Sequence, residues 1–223
     1  MLLEISGLTK SFGQLTILKE LSFSLQSGRL SVLVGSNGAG KTTLLRILSG
    51  LLGYDQGIFL LDGEQISLQS PLWRGQVGLV SHKTFLYQNL TGLENLRFFS
   101  RLYQQKLSQS QLTEKLDQVG IRRAADRLVR SYSRGMQQRL TIARALLPQP
   151  TVLILDEPFT GLDSEGSQRL LKILEEQIRA EVMILMTTHD PQATHTITDS
   201  YLRLSRARLS VSDQYQGQME PIG

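Results

Sequence analysis

The 223-residue chain contains no cysteine. Disulfides, thiolate metal sites and cysteine nucleophiles are therefore excluded. Histidine is scarce as well: His82, His189 and His195 are the only three, and they are too scattered for a zinc motif. Long apolar runs are missing. The longest, around residues 30–34, 151–155 and 182–186, fall far short of the roughly 20 residues a membrane helix needs. No basic-then-apolar signal opens the chain. Met1-Leu2-Leu3-Glu4-Ile5 reads as the start of a strand, so the expected compartment is the cytoplasm. Neither an internal repeat nor a heptad stretch is present. Charge of one sign barely dominates: 24 basic against 20 acidic residues leave a net +4. That balance suits an anionic ligand or surface, and equally no charged partner at all. It is not the footprint of a nucleic-acid binder. Hydrophobic residues at 40% and charged residues at 20% allow a proper core and exclude a wholly disordered chain.

What is there is an alternation. Ser31-Val32-Leu33-Val34 runs into Gly35, Val152-Leu153-Ile154-Leu155 into Asp156-Glu157, and Val182-Met183-Ile184-Leu185-Met186 into Thr187-Thr188-His189. Near-continuous apolar runs of this length predict strands buried on both faces of a parallel sheet. Helical periodicity over 42–49, 135–147 and 164–178 fills the gaps. The core is therefore expected to be α/β, with ligands at the carboxyl ends of the strands. The first thirty residues alternate more and hold Gly13 and Gly28 at turn-like positions, predicting an antiparallel β layer. Helices are expected over 90–103 and 110–119, within a helical insertion covering about 83–147. A single domain is expected over 1–212, with a loose C-terminal tail at 213–223.

Gly35-Ser36-Asn37-Gly38-Ala39-Gly40-Lys41-Thr42, followed by Thr43, fits G-x-x-x-x-G-K-[ST]. Glycines let consecutive backbone N–H groups curl around phosphate oxygens. Lys41 is expected to reach the β- and γ-phosphates. The Thr42 hydroxyl can ligate Mg²⁺, and the helix that starts there points its positive end at the anion. The rival reading is a glycine-rich turn before a helix; the preceding buried strand and the following helix are the context the phosphate-loop motif demands, and both are present. The run 151–157 is a buried strand ending in two carboxylates. Adjacent strand residues point opposite ways, so Asp156 can serve Mg²⁺ while Glu157 polarises an attacking water. A solvated strand end is the bland alternative. His189 ends the next buried strand near the same sheet edge, where it can hydrogen-bond a γ-phosphate.

With these motifs the chain resembles the ATPases of ABC transporters over nearly its whole length. Ser131-Tyr132-Ser133-Arg134-Gly135-Met136-Gln137-Gln138-Arg139 looks like the family signature, usually LSGGQ followed by QQR. The resemblance implies that Ser133, Arg134, Gly135 and Met136 contact a nucleotide held by the opposite subunit of a head-to-tail dimer. That dimer is a homodimer or a heterodimer with a related ATPase. Gly161-Leu162-Asp163 looks like the D-loop, which puts Asp163 at the link between the two sites. Phe12 matches the aromatic that stacks on adenine; an ordinary core phenylalanine is the alternative there. ATP and Mg²⁺ are the implied ligands. An integral membrane transporter subunit is the implied partner, with this chain peripheral on the cytoplasmic face and no nucleic acid involved.

Two stretches depart from the family pattern. Tyr132, Arg134 and Met136 replace the usual Leu, Gly and Gln, so the guanidinium of Arg134 stands where a backbone contact to phosphate is expected. His82 occupies the place of a glutamine that touches Mg²⁺ and the attacking water, which makes it a site residue whose imidazole can also titrate near neutral pH. The runs 80–87, 90–96 and 132–136 resemble the haem exporter ATPase of cytochrome c biogenesis, and other bacterial exporters of drugs, lipids or polysaccharides share parts of the pattern. Three rivals have less support. A soluble ABC ATPase of ribosomes or DNA usually carries two cassettes or a long coiled coil. A phosphate-loop kinase leaves the signature and His189 without a role. A non-hydrolysing regulatory module is expected to lack Glu157.

Overall fold

Two sheets share the chain in the computed structural model, which describes residues 1–214. The remaining part of the predicted loose tail, 215–223, lies outside the described residues. In chain order the elements are β1 (Leu2–Phe12), β2 (Leu15–Gln26), β3 (Leu30–Val34), α1 (Lys41–Leu48), β4 (Gln56–Leu61), β5 (Glu64–Gln65), α2 (Pro71–Gln76) and β6 (Val77–Val80). They continue with α3 (Gly92–Leu102), α4 (Gln109–Gln118), α5 (Arg134–Ala145), β7 (Val152–Asp156), α6 (Ser164–Arg179), β8 (Met183–Thr187), β9 (Ser200–Ser205) and β10 (Arg208–Ser212). One sheet has the order β2-β1-β4-β5 and is antiparallel throughout. The other has the order β10-β9-β3-β8-β7-β6, with every pairing parallel except β9–β10. The expected α/β fold, with a mostly parallel sheet, an N-terminal antiparallel layer and helices, is the fold observed.

The parallel strands carry apolar runs because both of their faces are covered. All five residues of β7 and of β8 are buried. Their side chains alternate between two cores. Leu153 and Leu155 of β7, with Ile184 and Met186 of β8, join a cluster filled by residues of α3, α4, α5 and α6. Val152 and Ile154, with Met183 and Leu185, face the other way, onto α1 and the antiparallel sheet. Helices 3 and 4 begin with capping boxes, Thr91 with Glu94 and Ser108 with Gln111, which satisfy otherwise orphaned N–H groups.

Several elements escape the sequence reading: β4, β5, α2, β6 and the β9–β10 hairpin. Strand β6 is only Val77-Gly78-Leu79-Val80, and its glycine weakens the strand signal. That glycine has a packing reason. A Cβ there would lie 2.5 Å from the carbonyl oxygen of Ala145, so α5 can sit on β6 only because Gly78 has no side chain.

The parallel register decides where chemistry can occur. Leu33 pairs with Thr187, Thr187 with Asp156, and Leu155 with Val80. The carboxyl ends of β3, β8, β7 and β6 therefore lie side by side, and the four segments that follow them leave from one edge.

Candidate active site

The segment after β3 turns tightly into α1. Gly35 sits against the C-terminal hairpin: a Cβ there would lie 2.4 Å from the Leu204 carbonyl oxygen. Gly40 has φ 103°, a left-handed conformation, and a Cβ on it would meet Ile17 of β2 at 2.8 Å. No side chain caps the first turn of α1, which suits an external anion at that helix end. The Lys41 ammonium folds over the loop and donates to the carbonyls of Gly35 at 2.6 Å and Ser36 at 3.0 Å. Phe12 is half exposed at the end of β1, with the Lys10 ammonium 5.2 Å from its ring centre, so it is not a core phenylalanine. Its strand pairs with β2, the strand that carries Ile17 against Gly40.

The two carboxylates part company at the end of β7. Asp156 is buried and accepts two hydroxyl hydrogen bonds, from Thr42 at 3.0 Å and from Thr187 at 2.8 Å. Glu157 leaves the strand with φ 53°, a left-handed conformation uncommon for a side-chain-bearing residue. Its N–H donates to the Thr187 hydroxyl at 2.9 Å. Its carboxylate Oε1 lies 2.6 Å from His189 Nε2, and the imidazole is 64% exposed while the Glu157 side chain is only 15% exposed. The Thr42 hydroxyl and the Asp156 carboxylate form a hard oxygen pair of the kind Mg²⁺ prefers. Among the described residues no group of three His, Cys, Asp or Glu side chains converges on a single point. These donors therefore fit a cation shared with phosphate rather than one caged by protein alone.

His82 follows β6. With Asp156, Glu157, Gln138 and Arg134 it lines a cavity of about 220 Å³, so it faces the same edge as the carboxylates. The backbone of its segment is held by side chains. Buried Arg144 of α5 donates to the carbonyls of Leu79 at 2.8 Å and Thr84 at 2.7 Å, between the rings of Phe85 and Phe99. No carboxylate pairs with it among the described residues, and burial pulls its guanidinium below the usual arginine value. Asn95, fully buried on α3, accepts from the Tyr87 N–H at 2.8 Å and donates to the carbonyls of Tyr87 and Thr91.

The signature residues lie elsewhere. Ser133 caps α5 by accepting from the Met136 N–H at 3.2 Å. A Cβ on Gly135 would lie 2.6 Å from the Gly161 carbonyl oxygen, so only glycine lets α5 approach the 157–163 segment this closely. Met136 packs partly on the core, and Tyr132 is buried with its hydroxyl on the Ala124 carbonyl at 2.6 Å, so its substitution for leucine is a packing matter. Asp163 caps α6 through the Gly166 N–H and pairs with Arg139; these two partners hold its carboxyl below the usual range. Ser133, Arg134, Gly135, Met136 and Asp163 line a cleft of about 630 Å³ together with Arg123, Arg127 and Arg139. No residue of the 35–43 loop lines that cleft. Arg134 alone of the signature residues borders both this cleft and the cavity of His82.

The predicted site thus falls into two groups. Loop 35–43, Asp156, Glu157, His189 and His82 share the sheet edge, whereas Ser133–Met136 and Asp163 form a separate basic cleft. Sequence reasoning missed Thr187, Arg144, Asn95 and, in the cleft, Arg123, Arg127 and Arg139. Arg144 left one readable trace, a lone charge inside the otherwise apolar run 142–147.

The family model described as ABC transporter matches residues 18–160. The chain belongs to the ABC transporter family. Among relatives in this family is the ABC transporter ATP-binding protein YdbJ of Bacillus subtilis (strain 168). It is 35% identical over 97% of this chain and 70% of its own length. The lantibiotic transport ATP-binding protein SrtF of Streptococcus pyogenes is 31% identical over 97% of this chain and 92% of its own. A solved ATP-binding subunit of an ABC transporter superposes with a TM-score of 0.85 at 29% identity, covering 96% of this chain and 90% of that one.

Proposed function

We propose that this chain is the ATP-binding and ATP-hydrolysing subunit of a bacterial ABC transporter, powering transport through a separate membrane subunit. The observation that carries the reading is the joined set Thr42–Asp156–Thr187–Glu157–His189 behind the phosphate loop. Phosphoryl transfer needs a cradle for phosphate, an oxygen pair for the metal, and a carboxylate beside the attacking water. Phe12 stacks on the base, and the amides of 35–43 with Lys41 hold the phosphates. Thr42 and Asp156 would hold Mg²⁺, with His82 lining the same cavity as Asp156, and the bound ion would supply positive charge against the phosphates. Glu157 takes the proton of the attacking water. His189, already against Glu157, is exposed enough to turn toward the γ-phosphate.

The basic cleft around Ser133 has the donors for phosphate but no phosphate loop of its own. A second copy, or a related ATPase, supplies the loop in a head-to-tail dimer, with Arg134 standing in for the usual glycine contact and Asp163 at the junction. No helix among the described residues is long and apolar enough to cross a membrane. In this reading the chain is peripheral, on the cytoplasmic face, beside an integral membrane partner. Residues 1–212 act as one ATPase domain in this reading, with 83–147 as its helical part. The likeness to a haem exporter gains no support from relatives named for lantibiotic transport, which favours the alternative, the ATPase subunit of another bacterial exporter.

The test is Glu157→Gln. Turnover is expected to fall about 100-fold or more, while size-exclusion chromatography with ATP shows a trapped dimer. Unchanged turnover would remove the general-base role.

A further inference from the structure

We infer that Thr187 is a positioning residue that sets both carboxylates of the site through one hydroxyl. The inference rests on the ATPase reading above and deepens it. Thr187 is the last residue of β8 and is fully buried. A hydroxyl has one proton to give and lone pairs to receive. Here the proton goes to Asp156 Oδ1 at 2.8 Å, and a lone pair accepts the Glu157 N–H at 2.9 Å. Asp156 and Thr187 are also register partners across β7 and β8, so the sheet itself fixes the distance between them.

Two consequences follow. Engaging Oδ1 locks the rotation of the Asp156 carboxylate and leaves Oδ2 aimed at the Thr42 hydroxyl, which is where the metal-holding pair forms. Accepting the Glu157 N–H anchors the chain at its left-handed turn, φ 53°, and that turn swings the Glu157 side chain off the strand toward His189. At full burial no water can take over either bond. Removing the hydroxyl leaves a buried donor and a half-satisfied carboxylate next to each other. The side chain touches no reacting atom; it works through its two neighbours.

The experiment compares Thr187→Val, which keeps the shape and loses the hydroxyl, with Thr187→Ser, which keeps the hydroxyl. Nucleotide affinity is measured on the full chain with fluorescent ATP, with and without Mg²⁺, beside steady-state turnover. Outer partners of metal-site residues typically cost at least about tenfold when removed. For valine, kcat and the Mg²⁺-dependent gain in affinity are each expected to fall about tenfold. Its Mg²⁺-free affinity, set by the 35–43 loop, should stay within about twofold, and serine should recover both losses. Valine matching the parent in kcat and in Mg²⁺ gain overturns the inference. So does an equal loss in serine and valine, which would mean that keeping the hydroxyl does not keep the function. Should the valine variant fail to fold, Thr187→Ala against Thr187→Ser reads the same hydroxyl, since both lack the methyl. A parent that binds Mg²⁺–ATP without turning it over defeats the ATPase reading alone, and the Mg²⁺ gain still decides the role of Thr187.

Discussion

The segment after β3 and the segment after β6 reach the same sheet edge by opposite means. The first, 35–40, is shaped from within. Its own glycines permit the turn, its own lysine ties it across Gly35 and Ser36, and α1 continues directly from it. The second, 81–91, is shaped from without. Its carbonyls and amides are satisfied by Arg144, which is some 60 residues away, and by Asn95 on the following helix. A self-contained loop can be altered chemically without loosening the fold. A loop pinned by remote buried side chains cannot.

Lys41→Ala should break that comparison most visibly. Turnover is expected to drop by more than about 100-fold, while the thermal midpoint stays within a few degrees, because the ammonium contacts only its own loop. A large fall in the midpoint would show the first loop to be as dependent on its ties as the second. Arg144→Met is the converse. It keeps packing length but removes the donors to Leu79 and Thr84, and should cost roughly 2–4 kcal/mol of stability by leaving two carbonyls unpaired. Faster amide hydrogen exchange across 79–87, with 35–43 unchanged, would confirm the external pinning. Unchanged exchange there would refute it.

Asp163→Asn gives the smallest effect. Asparagine caps helices as well as aspartate but gives up the ion pair with Arg139, so stability at pH 7 should fall only slightly. The folded carboxyl of Asp163 is lowered by the Gly166 N–H and by Arg139. Its contribution is therefore present above the unfolded carboxylate value, about 3.9, and is lost as pH falls through the lower folded value. Thermal melts from pH 7 down to 3 should show the parent losing its margin over the variant at the acid end. Parallel curves would mean that the charge of Asp163 adds nothing to the cap.

The contrast between the two loops also explains what was legible in the sequence. The phosphate loop is written largely in its own residue types, since Gly38 and Gly40 take left-handed backbone and Lys41 ties its own loop. The strand ends at Asp156 and His189 were legible because double-sided burial forces apolar runs. Strand β6 was not, because Gly78 answers a demand from α5 rather than from its own strand. Thr187 was in view inside an apolar run, but its importance depends on a register partner 31 residues away. His82 entered only through resemblance, since the residues that shape its loop lie on other elements. The division of the site into two groups had no local signature either. It follows from where α5 starts.

That helix has a mechanical consequence. Ser133 caps its first turn and Arg144 sits in its last, a separation of about 16 Å at 1.5 Å per residue. A rod of that length, tilted by roughly 10° about its Arg144 end, sweeps its Ser133 end through about 3 Å. A hydrogen bond spans no more than that. Because Arg144 grips the carbonyls of Leu79 and Thr84, a displacement of the His82 segment large enough to tilt the rod would be read at its far end as the making or breaking of a contact.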